Sequence, residues 1–254
     1  MRYGLVGDGR VAKHITQYFH LLEIPLIVWS RRNSLEKTGD ALRGVDVVLL
    51  AISDSAIQPF IDSIVSENPE FKEKKFVHFS GSVTTPVAQG FHPLMAFGEE
   101  LYDLETYQSL VFIGEAGLPT FEEIFPELPN RHYVLPVQYR GLYHALCVMS
   151  GNFTVILWEK FFNTIEGVFK IPRTAAFPYL ERVSLNLLKN TAGDASGSVL
   201  TGPLQRDDHG TIERNLTSLA GDPFQEVYRA FVSAYSSSLA SKNLERKNQH
   251  EQRP

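Results

Sequence analysis

Arg2-Tyr3-Gly4-Leu5-Val6-Gly7-Asp8-Gly9-Arg10-Val11-Ala12 is the stretch on which the fold turns. A short apolar run leads straight into Gly7-x-Gly9-x-x-Ala12, and a segment with helical spacing follows to about Leu22. That order suits a dinucleotide. One glycine makes the tight turn and the next lets the backbone approach a pyrophosphate. A small third residue lets the helix pack on the strand, while its N-terminal amides face the anion. The pattern assigns Gly7, Asp8, Gly9, Arg10 and Val11 to the phosphate turn, against the plainer reading of a structural turn. The Asp8 carboxylate is expected to point away from the phosphates.

Further apolar runs at 24–29, 45–52 and 76–79 are nearly continuous in Val, Leu, Ile and Phe. Such strands suit a parallel sheet covered on both faces. Residues 55–67 between them carry helical spacing, with Pro59 tolerable only near the first turn. Strands at 110–114 and 133–135 complete a Rossmann-type, doubly wound α/β domain over residues 1–137. The character then changes. Residues 139–169 lack proline and repeat apolar residues at three and four spacing (Leu142, Leu146, Met149, Phe153, Ile156), predicting one long helix buried between other elements. Helices at 174–189, 211–219 and 223–239 make residues 138–241 an all-α domain, broken by a Gly/Ser-rich stretch at 193–198. Residues 242–254 read as a frayed polar tail.

With 43% hydrophobic and 21% charged residues, the composition is that of an ordinary globular protein. A net charge of −5 argues against nucleic acid or an anionic membrane surface as the main partner. The single cysteine excludes an internal disulfide and a cysteine-cluster metal site, and the eight histidines show no ligand spacing. No metal, no membrane span and, by default, a cytoplasmic location are expected.

Where the second strand ends, an acid would bond the ribose hydroxyls and select NAD. Ser30-Arg31-Arg32 stands there instead, and two guanidiniums can pair with a 2′-phosphate, so NADP(H) is the expected cofactor. Ile52 and Ser53, after the third strand, and Ser80 and Gly81, after the fourth, fall on the nicotinamide side. Four residues could carry chemistry: His92 on a loop past the fourth strand, His144 and Asn152 eight apart on the long helix, and Arg206 in a Gly-Pro turn. Each has a bland alternative, a satisfied core histidine or a local ion pair with Asp207 and Asp208. No G-x-S-x-G elbow supports a hydrolase.

Taken together these motifs resemble a two-domain family. It joins a Rossmann-like domain, similar to deazaflavin-dependent NADP reductases and pyrroline-5-carboxylate reductases, to a helical domain of unknown function. The resemblance rests on the glycine turn, Asp54, Phe79-Ser80-Gly81-Ser82, His92-Pro93, His144-Ala145 and Asn152. Its most specific piece is Leu200-Thr201-Gly202-Pro203-x-x-Arg206-x-Asp208-x-x-Thr211. Asp207 stands where glycine is usual, and Asn215 where histidine is common. The resemblance implies a homodimer packed through the C-terminal helices and, for some members, an alternative ketopantoate reductase.

The expected activity is NADPH-dependent reduction of a small anionic carbonyl compound, a 2-oxo acid such as ketopantoate. Arg206 would clamp the carboxylate, Asn152 would bond the carbonyl oxygen, and His144 or His92 would give the proton. Reduction of a cyclic imine of the pyrroline-5-carboxylate type is a second reading. A non-catalytic nucleotide sensor is a third.

Overall fold

The structure, a computed structural model, describes residues 1–32, 34–117, 119–191 and 200–251, with only the backbone given for 190, 191 and 239–251. The Gly/Ser-rich stretch at 193–198 lies outside the described residues. Strand β1 (Tyr3–Val6) enters helix α1 (Arg10–Leu21). Then come β2 (Leu26–Trp29), α2 (Thr38–Ala41), β3 (Val47–Leu50), α3 (Asp54–Glu67), β4 (Lys75–His78), β5 (Gln89–Pro93), α4 (Leu104–Ser109), β6 (Phe112–Glu115), α5 (Phe121–Ile124) and β7 (His132–Leu135). They form one seven-stranded sheet in the order β2-β1-β3-β4-β5-β6-β7.

The first five strands are parallel, as near-continuous apolar runs demand: every residue of β1 and β3 is buried. Alternation of side chains divides the core in two. Tyr3, Leu5, Val47, Leu49 and Val77 pack under α1, α4 and α5, whereas Val6, Val48 and Leu50 pack against Ile57, Ile61 and Ile64 of α3. Pro59 falls in the second turn of α3 rather than the first. Strand β6 runs antiparallel to β5, and β7 parallel to β6. The chain leaves β5 and re-enters β6 at the same edge of the sheet, so no crossover reverses it.

The long helix is present but differs from expectation in two ways. It runs as α6 (Arg140–Val148), a π-helical turn (Met149–Phe153) and α7 (Thr154–Gly167). It is also not buried: Leu142, Leu146, Met149, Phe153 and Ile156 are all roughly half exposed. Among the described residues, 137–167 is the one helix long and apolar enough, by length and composition, to cross a membrane.

The chain divides into two compact units, Met1–Phe161 and Phe162–Pro254. The divide falls inside α7 rather than at residue 137, because α6 is anchored to the sheet by Arg140 and Tyr143. The second unit holds α8 (Phe177–Thr191), α9 (His209–Ser218) and α10 (Phe224–Glu251). Residues 242–251 continue α10 instead of fraying. No glycine or proline interrupts 224–251, and its Lys, Arg, Glu and Gln are good helix formers.

Candidate active site

A groove of about 900 Å³ runs along the carboxyl edge of β1, β2, β3 and β4. Its floor is the turn after β1. Gly7 has φ 138°, and a Cβ there would stand 2.3 Å from the Ala51 carbonyl oxygen, so only glycine fits. The Gly7 N–H donates to the Trp29 carbonyl (2.9 Å), locking the turn between the ends of β2 and β3. Gly9, which precedes α1, has no atom within 4 Å of where its Cβ would be. Helix α1 has neither a side-chain cap nor an acid in its first turn, so its leading N–H groups face a backbone cradle suited to an anion. Asp8, Arg10 and Val11 line the groove beside them.

Ser30, Arg31 and Arg32 line one end. Ser30 is buried, and its N–H donates to Ser34 Oγ at 3.2 Å. Both arginines are exposed. The Asp8 carboxylate turns toward them, 4.0 Å from Arg32 Nε. Arg10 donates twice to Glu99 (2.7 and 3.1 Å). Ile52, Ser53 and Asp54 line the middle, and Ser80 lies at the far end.

Past Ser80 the sheet becomes polar. His78, Gly90 and Glu115 are cross-strand neighbours on β4, β5 and β6. Gly90 leaves a hole between the other two, and the Arg140 guanidinium fills it. A Cβ on Gly90 would meet Arg140 Nη2 at 2.7 Å, His78 Cε1 at 2.8 Å and Glu115 Oε1 at 3.1 Å. Arg140 is 1% exposed, donates from Nη2 to the Ser80 carbonyl (2.6 Å) and holds Nε 3.3 Å from Glu115 Oε1. That last approach is an ion pair without hydrogen-bond alignment. Nε and Nη1 of Arg140, and both ring nitrogens of His78, lack hydrogen-bond partners.

One turn along α6, the Tyr143 hydroxyl and His92 Nδ1 are 2.7 Å apart, and the His92 and His144 rings lie edge to face at 6.4 Å. Gly81 touches both: its Cβ would stand 2.5 Å from His144 Cδ2 and 3.1 Å from His92 Nε2. Burial, then the Arg140 charge, push His78 down to about 4. Burial, Arg140 and His144 do the same to His92. Burial raises Glu115, against the pull of Arg140. Burial also raises the Tyr143 phenol, which stays protonated.

His92 therefore sits on β5 rather than on a loop, because Gln89 and Gly90 pair with β4 and Phe91, His92 and Pro93 pair with β6. It is also neutral near pH 7, so it is not an imidazolium acid; burial beside a guanidinium is the reason. The structure brings His92, His144, Ser80 and Gly81 together. Asn152 is exposed in the π turn. At about 100° per residue an eight-residue step leaves it about 80° round the helix from His144, and the wider turn takes up part of that. Arg206 is exposed in the second unit, in the turn before α9. There Asp207 keeps a left-handed φ of 55° where glycine is usual, and Asp208 caps α9 by accepting from the Thr211 N–H. Asn215 donates to the Tyr228 hydroxyl.

The sequence reading missed His78, Glu115, Arg140 and Tyr143. Arg140 carried a signal, being the only Lys, Arg, Asp or Glu from 132 to 158 apart from the histidines and within an otherwise apolar helix. Gly90 and Glu115 carried none, since only strand register makes them neighbours.

Residues 112–235 match the family described as Domain of unknown function (DUF2520). No curated protein matches the chain. Solved structures share its fold. A candidate NADP oxidoreductase from Bacteroides fragilis superposes with a TM-score of 0.71 at 20% identity, covering 92% of this chain and 97% of its own. A Thermotoga maritima protein gives 0.65 at 20% identity, covering 95% and 99%. Plasmodium falciparum pyrroline carboxylate reductase, solved with NADP bound, gives 0.59 at 12% identity, covering 94% and 96%. The DUF2520 match begins at β6, so it takes in the last two strands, the long helix and most of the second unit, and leaves the glycine turn outside it.

Proposed function

We propose that this protein is an NADPH-dependent reductase of a small anionic carbonyl compound, a 2-oxo acid, with ketopantoate as the candidate substrate. One observation carries the reading. A single groove has a backbone anion cradle in its middle, two arginines at one end, and at the other a residue, Ser80, that leads directly into a histidine pair. The Gly7–Gly9 turn and the open N-terminus of α1 fit a diphosphate, and Arg31 and Arg32 fit a 2′-phosphate. NADPH, when bound, supplies the hydride. The chain supplies the rest: His144 gives the proton, Asn152, about 12 Å further along the helix axis, lines the same pocket as a hydrogen-bond donor to the substrate, and Arg206 is the cation for the carboxylate. Proton and hydride together turn the carbonyl into an alcohol.

The likeness to a pyrroline carboxylate reductase supports a second reading, reduction of a cyclic imine, which arrives protonated and needs less acid catalysis. Calorimetry with NADPH and NADH, followed by NADPH consumption with ketopantoate and with pyrroline-5-carboxylate, tests both. Turnover of ketopantoate alone supports the first reading, and turnover of the imine alone replaces it. Binding without turnover leaves a nucleotide sensor, and no binding of either coenzyme ends the proposal. We also assign a second copy of this chain to the exposed stripe Leu142, Leu146, Met149, Phe153 and Ile156, whose four-three spacing is that of a helix–helix seam. Leu146→Glu should give a monomer in sedimentation velocity where the parent sediments as a dimer. A parent that is itself monomeric removes this assignment.

A further inference from the structure

The deepest polar feature of the first unit lies outside every role assigned so far. A guanidinium is buried in the sheet face through a hole that one glycine leaves open, with a histidine on one side and a glutamate on the other. Burying a charge is costly unless something holds it, and an apolar filling would stabilise the fold as well or better. Arg140 is only partly held, since Nε and Nη1 lack hydrogen-bond partners. Its one strong bond runs to the Ser80 carbonyl, at the end of the groove. Gly81 follows Ser80 and packs against His144 and His92, and Tyr143, one turn after Arg140 on α6, bonds to His92.

We propose that Arg140 is a positioning residue of the reduction: seated in the hole left by Gly90, it fixes the Ser80 carbonyl, and so sets the Gly81 turn against His144 and the His92–Tyr143 pair. This rests on the reductase reading for its link to catalysis, but the positioning itself can be read without turnover. The guanidinium is buried and does not line the groove, so it acts only through its neighbours. Its charge also helps keep His92 neutral, so the imidazole stays a partner for the Tyr143 hydroxyl. The groups facing this cluster are His78 from β4, Glu115 from β6, Asp54 from α3, and Tyr143, His144 and Cys147 from α6.

Arg140→Met alone would strand the Glu115 charge, so the decisive variant is the double Arg140→Met/Glu115→Gln, with Arg140→Lys beside it. Thermal melts establish that each folds. The double variant should bind NADPH within about twofold of the parent and lose at least tenfold in kcat with KM little changed. Its pH–rate profile should move as His92 becomes easier to protonate. Imidazole NMR should show His92 titrating clearly above its parental value, with altered His144 ring signals. Arg140→Lys, which keeps charge but loses the fork, should restore the His92 titration and not kcat.

Parental kcat together with unchanged His92 and His144 spectra in a folded double variant overturns the proposal while leaving the reductase reading intact. A parent that binds no nicotinamide coenzyme sinks the reductase reading, and the imidazole spectra then decide the positioning alone. A double variant that does not fold shows instead that the pair is structural. In that case Arg140→Lys with both parental kcat and parental spectra overturns the proposal.

Discussion

Replacing Arg31 and Arg32 by alanine should cost NADPH affinity and leave NADH almost untouched. The two coenzymes differ by one phosphate on the adenosine ribose, and the groove offers it two guanidiniums beside the buried Ser30. The size of the effect follows from exposure. The Arg32 side chain is 85% exposed and already lies 4.0 Å from Asp8, so water screens it and a carboxylate competes for it. Exposed ion pairs are worth at most about 1 kcal/mol each, so two together give about 2 kcal/mol. At about 1.4 kcal/mol per decade that is roughly a 30-fold loss of NADPH affinity. Raising ionic strength toward 1 M should shrink the parent's preference for NADPH, since screening then acts within about 3 Å. Titration calorimetry of parent and double variant with both coenzymes, at low and high salt, measures this directly. Equal losses for NADPH and NADH, or an NADPH loss below about threefold, would refute the placement of the 2′-phosphate at these arginines.

Gly7→Ala should lower stability by about 3 kcal/mol, summing a positive-φ penalty and an overlap with the Ala51 carbonyl that neither backbone can relieve. Differential scanning calorimetry should show Tm down by roughly 6–12 °C, and a shift under 2 °C would mean the turn is not held as described. His78 titrates near 4 in the folded chain and near 6.5 unfolded, so the unfolded chain takes up the proton first as pH falls. Its contribution, about 3 kcal/mol, is present above pH 6.5 and is lost between 6.5 and 4. Denaturant melts of His78→Gln should lose roughly half of the acid-dependent slope, His92 retaining the rest; an unaltered slope would contradict the burial of His78. Arg206→Ala should lower kcat/KM about tenfold if its guanidinium takes the substrate carboxylate, and steady-state kinetics equal to the parent's would remove that role.

The opening eleven residues by themselves determined the glycine turn that leads the parallel sheet into its first helix and floors the groove. Gly7 is required by a local φ and one close carbonyl and Ala12 by packing on the strand, while the place of Ser30-Arg31-Arg32 beside that turn follows from their position after the second apolar run. Each of those requirements acts over a few residues or through strand periodicity, which a sequence records directly. The polar cluster past Ser80 was not legible in the same way. His78, Gly90, Glu115 and Arg140 are spread over more than sixty positions, and they meet only because parallel and antiparallel register place three of them in one row and α6 lowers the fourth into it. The same distinction explains His92, whose strand was hidden because Gly90 and Pro93 flank it and read as loop. It explains the long helix too: periodicity recorded its apolar face, and only the tertiary structure showed that the residues on that face are about half exposed. Local conformation is fixed by neighbours along the chain, whereas the pKa of a histidine and the fate of an apolar face depend on which distant groups exclude water from them.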